Sequence, residues 1–320
     1  MNILYVTANR LGDAVLSSGL LAHLIAHHPS ARITVACGAV AAPLFEATPN
    51  VTRIFTLVKR PWAGHWLGLW RRTVATKWDI VVDLRGSALA WLLPAQQRFV
   101  LRKDDGPVHR AEMYSRLLGL VETAEPCLNL GEKHFARATE LVPSSRTVLA
   151  VGPTANWGGK RWPAASFVAL IERLTGIGGA FHGAHVAVLG AAEERSSAEA
   201  VLAAVPGERQ IDLVGTEDLL TLAACLQRCS FYVGNDSGLM HVAAATGIPT
   251  LGLFGPSREV HYAPRGKNAA CVRTPESYDD IVGAPGYDYR DQNSLMATLS
   301  IEAVERAVHE LITSARQKAS

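Results

Sequence analysis

The sequence predicts an α/β protein made of two doubly wound parallel sheets. Short apolar runs, typical of buried strands, alternate with segments of helical period through two successive halves of the chain. The length of 320 residues exceeds that of most single hydrophobic cores and suits two domains. Hydrophobic residues make up 48% of the chain and charged residues 19%, which supplies enough apolar side chains to bury two parallel sheets.

The two halves meet at Pro143-Ser144-Ser145, a stretch typical of a linker. We therefore predict a first domain over residues 1–143 and a second over residues 147–296. A terminal segment, residues 297–320, contains a closing helix at Ser300–Arg316.

Strands and helices alternate through the first domain. The predicted strands are Asn2–Thr7, Ile33–Ala36, Arg53–Leu57, Ile80–Leu84 and Arg98–Leu101. Helical period is found at residues 12–26, 109–120 and 133–141. This is the alternation of a doubly wound sheet.

The loop after the first strand reads Arg10-Leu11-Gly12-Asp13. It places Asp13 at the start of a helix and at the carboxyl end of a strand, where open α/β sheets bind their ligands. Asp is also one of the best N-cap residues, and on spacing alone the cap is the favoured interpretation. The two roles are compatible, because an exposed capping carboxylate keeps a free oxygen that can act as a base.

Asp83-Leu84-Arg85-Gly86-Ser87 ends the fourth strand at the same predicted edge. Arg85 either faces an acidic group of a ligand or pairs with a neighbouring carboxylate. The sequence leaves both interpretations open.

Residues 60–78 are rich in tryptophan and in basic residues. Trp62, Trp66 and Trp70 recur at helical spacing, and the cations around them are Arg60, His65, Arg71, Arg72 and Lys77. The slightly favoured interpretation is a crossover helix that packs its aromatic stripe on the sheet. The alternative is an interfacial helix whose tryptophans lie at headgroup depth and whose cations contact anionic lipid.

The second half begins with a strand at Thr147–Val151 and a loop rich in glycine, residues 152–163. Glycines allow that loop to wrap a ligand, and Lys160 supplies a point charge for phosphate. It is not a Walker A loop, because the glycine spacing differs and no Ser or Thr follows the lysine. Further strands are predicted at His185–Leu189 and Ile211–Val214, and a helix from Asp218.

Two adjacent acids, Glu193 and Glu194, follow the strand His185–Leu189. Acids at such a strand end hold a ribose diol in nucleotide-binding proteins, although acids in a first helical turn are common without any ligand.

Residues 230–257 predict a strand, a tight turn, a small-residue helix and a second strand. The helix Leu239–Thr246 points the free amides of Ser237, Gly238 and Leu239 beyond the carboxyl edge of the sheet, where a phosphate would bind. Asp236 or Ser237 as an N-cap is the simpler interpretation. It does not account for Gly238 and His241 in the first turn.

Charge and composition exclude several classes of protein. A formal net charge of +2 argues against a dedicated nucleic-acid binder. Five scattered cysteines form neither a disulfide framework nor a zinc pattern, so we expect buried thiols and a reducing compartment. The apolar segment at residues 1–7 is short and is followed by Arg10 and Asp13, which is typical of a strand and not of a signal peptide. No apolar segment in the sequence reaches the ~20 residues that a membrane-spanning helix needs. We therefore expect a cytoplasmic protein whose membrane contact, if any, is peripheral on the inner face of the inner membrane.

With these motifs in place, the chain resembles glycosyltransferase family 9, the heptosyltransferases of lipopolysaccharide core assembly. Three stretches in the family's order carry the resemblance: Arg10-Leu11-Gly12-Asp13, Lys160-Arg161-Trp162-Pro163, and Asn235 to His241 with Gly255-Pro256-Ser257. The resemblance implies the GT-B fold, in which two Rossmann-like domains face each other across a cleft. The acceptor then binds the first domain, the nucleotide sugar binds the second, and the closing helix crosses back to the first.

The resemblance also implies a reaction. Family members invert the anomeric carbon: an acceptor hydroxyl attacks while the nucleoside diphosphate leaves from the opposite side. Asp13 matches the general base, and Lys160 lies where charge develops on the diphosphate. The implied donor-binding residues are Thr154, Lys160, Glu194, Asp236, Ser237, Gly238 and His241. The implied acceptor-binding residues are Arg10, Gly12 and Arg85.

The expected substrates are ADP-heptose and a lipid-linked core sugar, with a different hexose donor or another glycan as alternatives. No Asp-x-Asp element is found, so no metal and no cofactor is expected. Two segments differ from the sequences that are usual in the family: the tryptophan-rich segment and the loop Thr154-Ala155-Asn156-Trp157-Gly158-Gly159. These differences leave the identities of the donor and the acceptor open. A catalytically silent binder of nucleotide sugar or glycolipid, a nucleotide-dependent oxidoreductase and a nucleotide-sugar epimerase are the competing functions.

Overall fold

The computed structural model describes residues 1–102 and 106–319. The chain forms two compact units, which divide between Gly131 and Glu132. None of the described helices combines the length and the apolar character needed to cross a lipid bilayer.

The described part of the first unit contains a parallel sheet with the strand order β3-β2-β1-β4-β5. The strands are β1 (Asn2–Val6), β2 (Arg32–Cys37), β3 (Val51–Thr56), β4 (Trp78–Asp83) and β5 (Ala95–Val100). The helices are α1 (Leu11–His27), α2 (Gly64–Thr73) and α3 (Arg110–Leu117). β1 is buried at the centre of the sheet, because its apolar residues Ile3 to Val6 have covered side chains on both faces.

The second unit contains a longer parallel sheet in the order β11-β10-β9-β6-β7-β8. The strands are β6 (Val148–Gly152), β7 (His185–Gly190), β8 (Gln210–Val214), β9 (Phe231–Asn235), β10 (Thr250–Phe254) and β11 (Ala269–Arg273). The helices are α4 (Glu132–Leu141), α5 (Ala164–Thr175), α6 (Arg195–Ala204), α7 (Leu219–Gln227), α8 (Gly238–Ala245), α9 (Glu259–Tyr262), α10 (Tyr278–Val282) and α11 (Ile301–Ala319).

The division between the units lies before α4, whereas the sequence placed it at Pro143. The physical reason is that α4 packs against α7 of the second unit. Its buried residues His134 and Ala138 face that unit, so the linker-like residues after α4 connect two elements of one unit.

The closing helix α11 belongs to the core of the second unit. Val304, Val308 and Leu311 are buried in the same apolar cluster as Phe167 of α5, and the helix also packs on β10 and β11. The resemblance to the family implied that this helix returns to the first domain. Its apolar face is instead used within the second unit.

Both sheets have a topological switch point. β1 lies between β2 and β4, and β6 lies between β7 and β9, so the chain leaves the central strand to opposite sides in each unit. Ligands of doubly wound sheets bind at this point, outside the carboxyl ends of the strands. In the first unit the relevant loops follow β1 and β4, and in the second they follow β6 and β9.

Candidate functional site

The loop after β1 leads directly into α1. Arg10 is the N-cap residue, with extended backbone and no capping side-chain hydrogen bond, and the helix begins at Leu11. Gly12 and the half-buried Asp13 are therefore the second and third helical residues. The expectation that Asp13 is the N-cap was wrong, because the N-cap is Arg10, three residues earlier. Asp13 remains in the first turn, at the carboxyl end of β1.

The turn after β4 is fixed by the buried carboxylate of Asp83. This carboxylate accepts hydrogen bonds from the amides of Arg85 (2.9 Å) and Ser87 (3.0 Å) and from the Ser87 hydroxyl (2.5 Å). Burial raises the pKa of Asp83, while the bonds from Ser87 and Arg85 oppose that rise. The Asp83 carboxylate therefore stabilises the conformation of the turn that carries Arg85.

Arg85 joins the two loops of the first switch point. Its guanidinium donates to Asn9 Oδ1 at 3.0 Å and lies over the Trp66 ring, 4.7 Å from the centroid. The sequence left a neighbouring carboxylate as one alternative, but the side-chain hydrogen bond that the structure gives goes to an amide oxygen. Arg85 thus lies beside the loop that carries Arg10 and Gly12.

A cavity of about 930 Å³ opens beside Arg85 in the first unit. It lies at the ends of β4 and β5 and is lined by four arginines and by apolar side chains that include Trp91. The arginines are Arg85, Arg98, Arg102 and Arg110. Arg98 is held by the carbonyls of Ala90 and Leu93, at 2.9 and 2.7 Å. The cavity is suited to a ligand that carries negative charge and an apolar or ring-shaped part.

In the second unit the structure brings Lys160 and Asp236 together. Lys160 ends a short 3-10 turn in the loop after β6, and Asp236 follows β9. Their Nζ and Oδ2 atoms are 2.5 Å apart, with 25% and 7% of the side chains exposed. These two candidates, 76 positions apart in sequence, therefore form one charged pair at the second switch point.

Asn235 holds the loops around this pair. Its side chain is buried, donates from Nδ2 to the Pro153 carbonyl at 2.8 Å, and accepts at Oδ1 from the Trp162 amide at 3.0 Å. It therefore ties both ends of the loop after β6 to the end of β9. Sequence reasoning did not assign this role, although an amide side chain at a buried strand end was the available signal.

The same loop is fastened to the segment 291–299. Trp157 Nε1 donates to the Asp291 carbonyl at 2.8 Å, the Gly158 amide to Gln292 Oε1 at 3.0 Å, and the Leu295 amide to the Gly159 carbonyl at 3.1 Å. These bonds fix the backbone immediately before Lys160.

The other members of the Lys160-Arg161-Trp162-Pro163 motif have structural contacts. Arg161 donates to the Ala155 carbonyl and to Ser197 Oγ, both at 2.8 Å. The buried Trp162 indole donates to the Leu299 carbonyl at 2.8 Å. Of this motif, Lys160 is the residue whose charged group meets Asp236.

Thr154 and Glu194 form a second contact between predicted donor residues. The buried Thr154 hydroxyl donates to Glu194 Oε2 at 2.7 Å, and the Ala191 amide donates to the same oxygen at 3.3 Å. Glu193 is exposed, whereas Glu194 is half-buried. Of the two adjacent acids, Glu194 is thus the one joined to the loop after β6.

Helix α8 starts without a capping side chain. Ser237 is at the N-cap position but makes no side-chain cap hydrogen bond, and Asp236 is paired with Lys160. Ser237 therefore occupies the N-cap position, as one of the two alternatives expected, but neither side chain caps the helix. Gly238 is the first helical residue and His241 is buried in the first turn. The amides at this helix start are suited to an anionic ligand.

The residues described here, 1–102 and 106–319, include no group of three or more His, Cys, Asp or Glu side chains arranged to hold a metal ion.

Comparison with known proteins identifies a family for this chain. The profile of glycosyltransferase family 9 (heptosyltransferase) matches residues 109–282, which are 174 of the 320 residues. The chain is 27% identical to lipopolysaccharide heptosyltransferase 2 of Escherichia coli K12 over 320 aligned residues, covering 88% of this chain and 90% of that protein.

Two solved structures share the fold over nearly the full length of both chains. A family 9 glycosyltransferase from Veillonella parvula superposes with a TM-score of 0.81 at 23% identity, covering 98% of this chain and 97% of the other. The ADP-heptose lipopolysaccharide heptosyltransferase II of E. coli gives a TM-score of 0.76 at 22% identity, covering 99% and 100%.

Proposed function

The chain belongs to glycosyltransferase family 9, and from this premise we propose that it transfers heptose from ADP-heptose to a hydroxyl of a lipopolysaccharide core acceptor. The names of the similar proteins support this choice of substrates, since they include lipopolysaccharide heptosyltransferase 2 and an ADP-heptose heptosyltransferase. Membership makes the protein a glycosyltransferase.

The observation that carries the proposal is the pairing of Lys160 with Asp236 beside the uncapped start of α8. A nucleotide sugar needs positive charge at its diphosphate and hydrogen-bond acceptors at its sugar hydroxyls. The Lys160 ammonium and the amides at the start of α8 supply the positive charge, and the Asp236 carboxylate supplies the acceptor, all at the switch point of the second sheet. A silent nucleotide-sugar binder or an epimerase would need the same groups, and transfer to an acceptor separates these functions.

We assign the donor to the second unit. Lys160, Thr154 and the amides of Ser237 and Gly238 contact the diphosphate, and Asp236 accepts from the sugar hydroxyls. Glu194 accepts from the ribose, and His241 lies one helical turn from the diphosphate. Donor binding draws the Lys160 ammonium from Asp236 towards the phosphates, which leaves the carboxylate to the sugar.

We assign the acceptor to the first unit. Arg85 and the arginine-lined cavity bind anionic groups of the core, and Arg10 and Gly12 shape the loop beside Asp13. Asp13 takes the proton from the attacking hydroxyl as the new glycosidic bond forms. The anomeric carbon is inverted because the diphosphate leaves from the face opposite to the attack.

Charge develops on the departing diphosphate in the transition state. Lys160 and the amides at the start of α8 are held in place by the fastened loop and by the helix, so little reorganisation is needed when that charge appears. Fixed positive groups that meet developing charge lower the barrier of the chemical step. The proposal therefore assigns no role to a metal ion.

We also propose that the first unit contacts an anionic membrane surface through residues 60–78. Trp66 and Trp70 pack partly on the core, as the crossover interpretation expects, but Trp62 is fully exposed. Trp62 and Ala63 have left-handed backbone, with φ of 53° and 55°, a conformation that is strained for side chains other than glycine. Leu67 is half exposed, and the cations Arg60, Arg71 and Arg72 are exposed nearby. An exposed aromatic among cations suits the headgroup region of the cytoplasmic leaflet.

A binding and transfer experiment tests the function. Thermal shift with ADP-, UDP- and GDP-sugars identifies the donor, because a ligand bound by the native state alone raises the melting temperature. The expected result is a shift with ADP-heptose, and with an acceptor the release of ADP together with a heptosylated product. A shift with another nucleotide would identify a different donor. Binding without transfer to any core acceptor would favour a silent binding protein, and isomerised donor without acceptor would favour an epimerase.

A further inference from the structure

Three glycines lie at one register across the centre of the second sheet. Gly152 of β6 pairs with Gly234 of β9, and Gly234 pairs with Gly252 of β10. A Cβ on Gly152 or Gly234 would lie 2.0 or 2.5 Å from the Tyr232 hydroxyl oxygen. A Cβ on Gly252 would lie 2.4 Å from Met240 Sδ. The first two glycines therefore make room for the tyrosine, and the third for a side chain of α8.

Tyr232 runs along β9 towards the carboxyl end of the sheet. Tyr232 and Gly234 are two residues apart and lie on the same face of the strand. Phe231 and Val233 point to the other face, into the apolar core of the unit. The Tyr232 hydroxyl thus reaches the switch point beneath the start of α8.

This hydroxyl is buried next to the Ser237 side chain, but its contact there falls short of hydrogen-bond geometry, and it makes no other hydrogen bond with the residues that the structure describes. Burial raises the pKa of the Tyr232 phenol; the Ser237 side chain lowers it and the negative charge of Glu194 raises it further. The hydroxyl therefore remains protonated at neutral pH and lies close to two residues of the proposed donor site. A buried hydroxyl without a partner destabilises a folded protein, so its presence needs an explanation.

Ser237 supplies the link to solvent. It is half-buried, occupies the N-cap position of α8, and does not use its hydroxyl to cap the helix. A serine hydroxyl can accept one hydrogen bond and donate another at the same time.

We propose that Tyr232 is a positioning residue for the donor diphosphate. Its hydroxyl donates to Ser237 Oγ when the donor is bound, and the Ser237 hydroxyl then donates to a diphosphate oxygen. This inference rests on the proposed function, and it adds a residue from the middle of a buried strand that the sequence motifs do not assign. The competing explanation is that Tyr232 only fills the space above the glycines.

Tyr232→Phe separates the two explanations, because it keeps the ring and removes only the hydroxyl. ADP is the probe, with its Kd measured by calorimetry and melting temperatures measured with and without it. The matched control is Tyr5→Phe in the first unit, where the buried hydroxyl donates to the Ser17 carbonyl at 2.7 Å. Ser237→Ala and the double variant Tyr232→Phe/Ser237→Ala complete the set.

We expect Tyr232→Phe to leave the ligand-free melting temperature unchanged or raised and to weaken ADP binding about tenfold, since a hydrogen bond that supports a charged group is lost. Ser237→Ala should weaken binding by a similar factor, and the double variant should lose little more. Tyr5→Phe should lower the melting temperature and leave the Kd unchanged.

Four outcomes would overturn the inference. A Tyr232→Phe variant that melts lower and binds ADP normally would make Tyr232 a packing residue. Losses in the two single variants that multiply in the double variant would separate Tyr232 from Ser237. If the unaltered protein bound none of ADP, UDP and GDP, the inference and the proposed function would fail together, whereas normal binding unaffected by Tyr232→Phe would remove only the inference.

Discussion

The ammonium of Lys160 lies 2.5 Å from the carboxylate of Asp236 across the switch point of the second sheet. Each residue therefore holds the other in place before any ligand binds. Because the Asp236 side chain is almost fully buried, removing either partner leaves the charge of the other without a counter-charge in a largely buried position.

The pair can be tested by a double-mutant cycle of Lys160→Met and Asp236→Asn. Each single change should lower the free energy of unfolding, and the double change should cost less than their sum, with a coupling of about 1–3 kcal/mol. Urea unfolding of the four proteins measures this. The exposed pair Arg173–Glu302 is the control and should give a smaller coupling. Strictly additive effects at Lys160 and Asp236 would mean that the contact contributes nothing in solution.

Asp13→Asn should abolish most of the transfer reaction. The amide keeps the shape of the side chain but cannot accept the hydroxyl proton, so kcat should fall about 10²- to 10⁴-fold. ADP affinity should stay the same, because the donor is assigned to the other unit. Glu112→Gln, which breaks an exposed pair with Arg116 on α3, is the control and should have normal kcat. Normal turnover in Asp13→Asn would remove Asp13 from the mechanism.

Arg85→Ala should raise the KM for the acceptor about ten- to a hundredfold with a smaller effect on kcat, because a charge-assisted contact with the acceptor is lost. Arg85→Lys should restore only part of the loss, since an ammonium keeps the charge but cannot stack its plane on Trp66. Initial rates at varied acceptor concentration measure both. Arg116→Ala serves as the control, and an unchanged KM in Arg85→Ala would place acceptor binding elsewhere.

Trp62→Ser and the charge reversal Arg71→Glu/Arg72→Glu should each reduce co-sedimentation with vesicles that contain anionic lipid. Trp62 supplies the apolar contact with the membrane, and Arg71 and Arg72 supply the charge. The charge reversal should therefore reduce co-sedimentation less at high salt than at low salt. Ile177→Ser removes an almost fully exposed apolar side chain from the second unit and should have no effect. Equal sedimentation of all variants would leave this surface without a membrane role.

Asp218 should make the stability of the second unit depend on pH. Burial by itself raises the pKa of Asp218, but bonds from Thr221 and the Leu220 amide, with the nearby His134, lower it below its usual value. A lowered folded-state pKa means that the stabilisation is present above the unfolded-state pKa and is lost as the pH falls through the folded-state value. Asp218→Ala should cost about 1 kcal/mol near neutral pH.

Asp218→Asn is the matched control for that prediction, since Asn caps a helix without titrating. Its melting temperature should fall less than that of the unaltered protein as the pH drops below the usual range of an aspartate pKa, about 4. Parallel curves for the two proteins would show that Asp218 does not contribute to the acid sensitivity.

Much of this arrangement could be predicted from the sequence. The alternation of apolar runs and helical period identified both sheets, and the rule for switch points placed Lys160 and Asp236 at one edge although they are far apart in sequence. The pairing itself was not predicted, because local spacing favours Asp236 as a cap and carries no information about a lysine in another loop. The same limit applies to Asp13, whose helix starts earlier than its capping preference suggests.

Short elements after β10 were harder to predict. Helix α10, which begins with a capping box formed by Ser277 and Asp280, was not predicted. β11 was not identified, because its alanine-rich run becomes a strand only by pairing with β10. Its last residue, Arg273, donates to the Gly255 carbonyl at 3.1 Å, a tertiary contact that periodicity cannot show.

The bonds between the loop after β6 and residues 291–299 have a consequence for shortened forms of the protein. A truncation or frameshift that removed the chain from Asp291 onward would leave every strand of the second sheet encoded, yet the loop that carries Lys160 would keep only its bonds to Asn235 and lose those to residues 291–299. Such a form would also lack α11, so the core of the second unit and the position of Lys160 would both be affected.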